Sequence, residues 1–277
     1  MAHFKTWDSA GKNLVDSNYV TMGLIKSGYM VKITDAQRRA RIALNNNNTE
    51  PVPYTDPVYG FTVTADTPLV FIAGRAVLQQ IVRNGNSYTF WYAHASTSAR
   101  YYVFDRMKDL GSGPAKLRLW TDVGVCTLDS GMPFLDINGA HIPPNPSVNA
   151  QGYGRGYAGA ATQTGTATAI GGADPNHINA SILMDSLSIA VGGDCAACLP
   201  WSRIMLHTDR FGGSAISARE GAFGQGGNLT FMMATEAGCT INGWVSSGYI
   251  NMFYQIPTPR KPSVTYIDAS TLPIPFG

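Results

Sequence analysis

FKTWDSAGKNLVDS, residues 4–17, returns as LRLWTDVGVCTLDS at residues 117–130, an ungapped match 113 residues further along the chain. Trp7 falls on Trp120, Gly11 on Gly124, Asp16 on Asp129 and Ser17 on Ser130, which gives the shared phrase W-x3-G-x3-[VL]-D-S. Each copy runs from extended residues ending in Trp, through a short polar segment closed by Gly, to a second short apolar segment. That order predicts a β-hairpin. Asp8, Ser9, Ala10 and Gly11 suit a type I turn followed by a left-handed residue, because Asp accepts hydrogen bonds from nearby amides and Gly takes positive φ without a Cβ clash. Thr121, Asp122, Val123 and Gly124 repeat that chemistry. The two indole rings are expected to anchor cores, and each Asp-Ser pair to satisfy local backbone donors rather than a ligand.

Two such starts divide the 277 residues into an N-terminal β module over 1–112 and a C-terminal one over 113–277, with DLGSGP (109–114) as the linker. Composition agrees with an all-β chain of two β-sandwich-like modules. Charged residues are 14% of the total, well below the usual quarter, while 30 Gly and 16 Pro punctuate a chain that is 44% hydrophobic. Few segments repeat apolar residues at a helical period. A surface this poor in charge suits a protein whose sides are covered by its own copies or by neighbours. The net charge of +2 and the lack of a basic run with interleaved aromatics point away from nucleic acid. MAHFKTWDSAGK has neither a basic nor an apolar signal region, and no run of eighteen apolar residues occurs. The expectation is synthesis in a cytoplasm without membrane insertion.

Within the first module the strand signals are YGFTVT (59–64), LVFIA (69–73) and the aromatic-rich SYTFWYAHA (87–95), whose two bulky faces predict burial on both sides or at an interface. Asn84-Gly85 predicts a tight hairpin turn. TDAQRRARIAL (34–44) leaves two readings open, a helical turn capped by Thr34 or a strand or loop presenting arginines. Two stretches of the second module, QGYGRGYAGAATQTGTATAIGGA (151–173) and RFGGSAISAREGAFGQGG (210–227), are rich in Gly and small residues. They read as long loops, since little apolar area offsets the cost of ordering them.

No HExxH, GxSxG or phosphate loop is present, and the Gly-rich runs lack the strand-to-helix context of a dinucleotide site. Glu50, Glu220 and Glu236 stand in unrelated contexts, Asp174, His177 and Asp185 read as turn formers rather than metal ligands, and no catalytic or cofactor-binding residue is assigned. Cys195 and Cys198 form a CAAC, but Cys126 and Cys239 stand alone, so buried thiols are expected rather than a zinc site. The candidates for partner or receptor contact are Tyr153, Arg155, Tyr157, Phe211, Arg219 and Phe223, aromatic and guanidinium groups on the expected Gly-rich loops. Packing between subunits is the other use open to those loops.

HFKTWDSAGKNLVDS and KLRLWTDVGVCTLDSGMPFLDI, with YGFTVTADTPLVFIAG and SARYYVFDR between them, resemble small tail proteins of long-tailed bacteriophages over the first half of the chain. The second copy departs from the family phrase at Thr121, where Asp122 can supply the same turn. The resemblance implies a non-enzymatic virion protein of the tail tip or baseplate, a homotrimer working in tail assembly and host-surface attachment. Its partners would be other tail proteins and a bacterial receptor, polysaccharide or outer-membrane protein. A tail-associated polysaccharide hydrolase and a purely architectural connector remain as alternatives.

Overall fold

A computed structural model describes the chain apart from residues 1–4, 8, 12, 17–18, 42–48, 110–116, 151, 155, 167–180, 209–214, 239 and 243–251. The described residues form 22 strands and no helix. The strands gather into a 13-stranded sheet, a five-stranded sheet and two separate two-stranded ribbons. The all-β, sandwich-like character of the sequence is therefore present.

The two ribbons are the repeated phrase. Lys5, Thr6 and Trp7 pair with Asp16, Val15 and Asn13; Arg118, Leu119 and Trp120 pair with Asp129, Leu128 and Cys126. Register and irregularity are the same in both, and Gly11 and Gly124 share a φ of 79°. In the second ribbon Gly124 N donates to Thr121 O at 2.9 Å and Thr121 N donates to Val125 O at 2.8 Å, a turn closed by a left-handed Gly. The indoles are not core anchors, however: Trp7 is 57% and Trp120 47% exposed. A ribbon buries one side only. In the second copy that side belongs to Cys126–Asp129, every residue of which is buried, with Leu128 packed among Met107 and Met132. The Trp-bearing strand is left outermost.

In the five-stranded sheet, Val31–Arg41 pairs with Thr49–Thr64, which pairs with Ser87–Ala93 and so with Val77–Asn84; Thr240–Asn242 runs parallel to Val31–Arg41 at the edge. Of the two readings of 34–44, pairing with Thr49–Thr64 selects the strand as far as Arg41, and 42–44 lie outside the described residues. The Val77–Asn84 hairpin turns on Gly85 and Asn86, with Asn84 paired to Ser87 and Gly85 at φ 60°. Only the first tip residue has positive φ, so Gly takes it and the turn sits one residue later than Asn84-Gly85 implies.

The 13-stranded sheet draws on both sides of the expected boundary. Leu69–Ala73 pairs with Arg100–Arg106 and bridges Cys195–Cys198 at Ile72↔Ala197 and Ala215–Gln225 at Ala73↔Gly224. Residues of 1–112 and 113–277 thus share one sheet, while Gly113 lies outside the described residues. Both faces of this sheet carry a packed core over part of their area. One packs Met184, Phe223, Met232 and Ala234 against Phe61, Val63, Phe90 and Tyr92 of the five-stranded sheet. There the Phe61 ring lies 3.7 Å from Tyr101 and 5.1 Å from Phe90. The opposite face carries Tyr157, Leu229, Phe231, Met233 and Phe253, and, further along, Phe71, Tyr102 and Phe104. Burial on two sides explains the apolar runs FIA (71–73) and YYVF (101–104), while Leu69 at the start of its strand is exposed. In SYTFWYAHA, Phe90, Tyr92 and Ala93 are buried and Trp91 is half-buried.

From Ala215 to Gln225 the second Gly-rich stretch is a strand, not a loop. Ala215–Gln225 is an interior strand, paired with Ile204–Thr208 on one side and Asn228–Thr235 on the other. Its glycines answer to proximity. A Cβ on Gly224 would lie 1.8 Å from the Cys195 carbonyl oxygen, and one on Gly221 would press on Val77 at 3.1 Å. Small residues here let neighbouring backbones approach. The first Gly-rich stretch also contributes strands, Tyr153–Gly154 and Ala161–Thr166, before it passes outside the described residues.

Candidate functional site

The expected contact residues separate into three groups. Tyr157 and Phe223 are buried, which removes them from any receptor surface. Phe223 belongs to the core against the five-stranded sheet. Tyr157 donates its hydroxyl to Glu220 Oε1 at 2.8 Å, and Arg203 donates from Nε and Nη2 to the two Glu220 oxygens at 2.8 Å each. Both partners of that ion pair are 0% exposed. Ser202 Oγ donates to the Glu220 carbonyl at 2.6 Å and so pins the strand that bears the carboxylate. Burial, then the Glu220 charge, pushes the Tyr157 phenol well above its ordinary range. Burial works against the Arg203 charge, but the Glu220 contact outweighs it and raises the guanidinium. A pair fixed in this way joins strands; it offers no free acid or base.

Arg219 is partly exposed on Ala215–Gln225 and donates from Nε to Glu236. Tyr153 lies at the surface with its ring stacked 4.8 Å from Tyr254. Arg155 and Phe211 lie outside the described residues. Sequence grouping placed these six on shared loops, whereas the structure distributes the described ones over a core (Phe223), a buried network (Tyr157), an interior strand (Arg219) and a short strand paired with Met252–Tyr254 (Tyr153).

The Asp-Ser reading of the repeat holds where side chains are described. Buried Asp129 accepts from Arg118 Nε at 3.0 Å and from Gly131 N at 2.8 Å, and Ser130 Oγ accepts from Leu117 N at 3.0 Å. Ser17 lies outside the described residues, and Asp16 contributes its backbone pairing with Lys5.

Cys126, Cys195 and Cys198 are free and buried. CAAC is itself a strand, so period-two alternation turns Cys195 and Cys198 to opposite faces, away from a common metal. Burial pushes the Cys198 thiol up to about 11. Among the described residues no group of three His, Cys, Asp or Glu side chains could hold a metal ion; Asp174 and His177 lie outside them.

Among the described residues, three concavities bear on a site. An apolar cleft of about 200 Å³ lies between the sheets, with Cys198, Leu199 and Trp201 on its wall. A groove of about 610 Å³ runs beneath the second ribbon past Ser130, Asp136 and Asp268. A polar groove of about 520 Å³ opens beside Arg75 and Ser188. Sequence reasoning missed Arg75, although SILMDSLSIA (181–190) alternates Ser186 and Ser188 with Leu187 and Ile189, a sign of one hydroxyl-bearing strand face. No family model, curated protein or solved structure matches the chain.

Proposed function

We propose that the chain is a structural protein of a bacteriophage tail tip or baseplate, working as a homotrimer in tail assembly and attachment to the host surface. The observation that carries this reading is the pair of ribbons. Two hairpins with one register stand outside the large sheets, and each turns an indole to solvent. A two-stranded hairpin is marginal on its own, and an exposed Trp on such a ribbon gains most by entering an interface. Val123 and Val125, also exposed, extend that apolar surface at the second turn.

Other tail proteins would engage the ribbons, and a receptor on the bacterial surface would meet a face left open by assembly. Three-fold symmetry would multiply a weak contact into firm adhesion. Light scattering on purified full-length protein tests the assembly step: three times the chain mass supports the reading, and a monomer at high concentration contradicts it.

A further inference from the structure

We propose that the groove beside Arg75 binds an acidic saccharide, with the guanidinium taking a carboxylate and the sheet's hydroxyls and amides taking the ring hydroxyls. This proposal rests on the attachment reading and specifies its ligand chemistry.

The floor of the groove follows from register. Ser188 pairs with Thr230, Ala190 with Asn228, and Asn228 with Gln225. Alternation puts Ser186, Ser188, Thr230 and Asn228 on the same face as Met184, Met232 and Ala234, which are core residues against the five-stranded sheet. Along that face, side chains change from thioether and methyl to hydroxyl and amide. Ser188 and Gln225 are exposed, so the polar part of the face meets solvent. Ser188 Oγ and Thr230 Oγ1 lie 2.9 Å apart, a hydroxyl pair with lone pairs to spare.

Arg75 stands at the wall in a fixed pose. Its carbonyl accepts from Ser96 N at 2.8 Å, and the preceding Gly74 N donates to Gly224 O at 2.7 Å. Its Nε donates to His94 O at 3.0 Å, which sets the plane of the guanidinium, and its two Nη groups carry no hydrogen bond among the described residues. Ser96 Oγ, also on the groove, is out of water without a partner among those residues. Among the described residues no carboxylate lines the groove, and Arg75 is the charged group on its wall. A planar fork of donors beside a row of hydroxyls matches a carboxylate-bearing sugar. Among the described residues the one aromatic ring on the lining is Phe223, which is buried and gives nucleobase stacking no platform there. About 520 Å³ falls within the ~300–1,000 Å³ of small-ligand clefts.

Titration calorimetry of the full chain with oligogalacturonate, oligosialate and oligoalginate, against dextran oligomers, inorganic phosphate and anionic phosphatidylglycerol vesicles, tests this. At least one acidic oligosaccharide is expected to bind ten-fold or more tighter than every control. Arg75→Gln should weaken that binding ten-fold or more, and Arg83→Gln, on the five-stranded sheet, should leave it unchanged. Ser186→Ala with Ser188→Ala provides the same test if Arg75→Gln does not fold. The proposal is overturned if none of the three acidic ligands binds, if phosphate or vesicles bind as tightly, or if folded variants bind as wild type does. Locating the chain in virions separates the two ideas. A chain absent from particles that still binds through Arg75 sinks the attachment reading alone, and a tail-tip chain blind to acidic sugars sinks the groove alone.

Discussion

Arg203 and Glu220 meet through two hydrogen bonds of 2.8 Å with both side chains fully out of water. Glu220 lies on Ala215–Gln225 and Arg203 just before Ile204–Thr208, so the pair ties neighbouring strands of the large sheet at the level of Tyr157. Removing one partner leaves a buried charge alone. Glu220→Gln is expected to cost about 3–5 kcal/mol, and Arg203→Met with Glu220→Leu to cost less than the sum of the single changes. Urea denaturation midpoints of Glu220→Gln, of the single changes Arg203→Met and Glu220→Leu and of their double variant check this, and additivity would show that the two groups do not act as a unit.

Asp105 is expected to contribute to the acid limit of the fold. Burial disfavours its charge, but amides of Asp66, Thr67 and Arg106 donate to it at 2.6, 2.9 and 2.8 Å, and the carboxyl is held below its ordinary 3.8. A depressed folded value gives stability that is present above the unfolded value and lost as pH falls through the folded one. The melting temperature should therefore fall as pH drops below about 4, and Asp105→Asn should flatten that limb while lowering stability at neutral pH. Parallel acid limbs in the two proteins would show that other groups set it.

Gly224 is required by distance, and Gly85 by conformation. Gly224→Ala places a Cβ against the Cys195 carbonyl and should cost about 3 kcal/mol or more, because backbone on both strands must shift. Gly85→Ala meets no atom within 4 Å and should cost about 1–2 kcal/mol, the penalty of a side chain at positive φ. Chemical denaturation of both variants gives the order, and a reversed order would contradict the close approach.

Trp7→Ala with Trp120→Ala should leave the folded protomer nearly as stable, with a change of about 1 kcal/mol or less, since both rings already meet solvent. Light scattering should show the proposed trimer weakened. A large loss of protomer stability would return the indoles to the core role that the phrase alone suggests.

The repeat made both ribbons legible down to the left-handed Gly, because a hairpin's turn chemistry is local in sequence. Which side of a ribbon is buried depends on what lies beneath it, and Leu128 meeting Met107 and Met132 is a contact no local pattern carries. Ala215–Gln225 shows the same limit. Its glycines look like a loop until Cys195 and Val77 are seen against them, since close approach and flexibility call for the same residue. The pairing of Arg203 with Glu220, and the nearness of Arg75 to Ser186, Ser188 and Thr230, arise from strand order, which spacing along the chain does not encode.

The most direct measurement is electron microscopy of virions assembled with an epitope-tagged copy of this chain and decorated with a labelled antibody. Label at the distal end of the tail, in three-fold multiples, is the result expected of a trimeric tail-tip protein. Purified infectious particles that carry no label anywhere would contradict it.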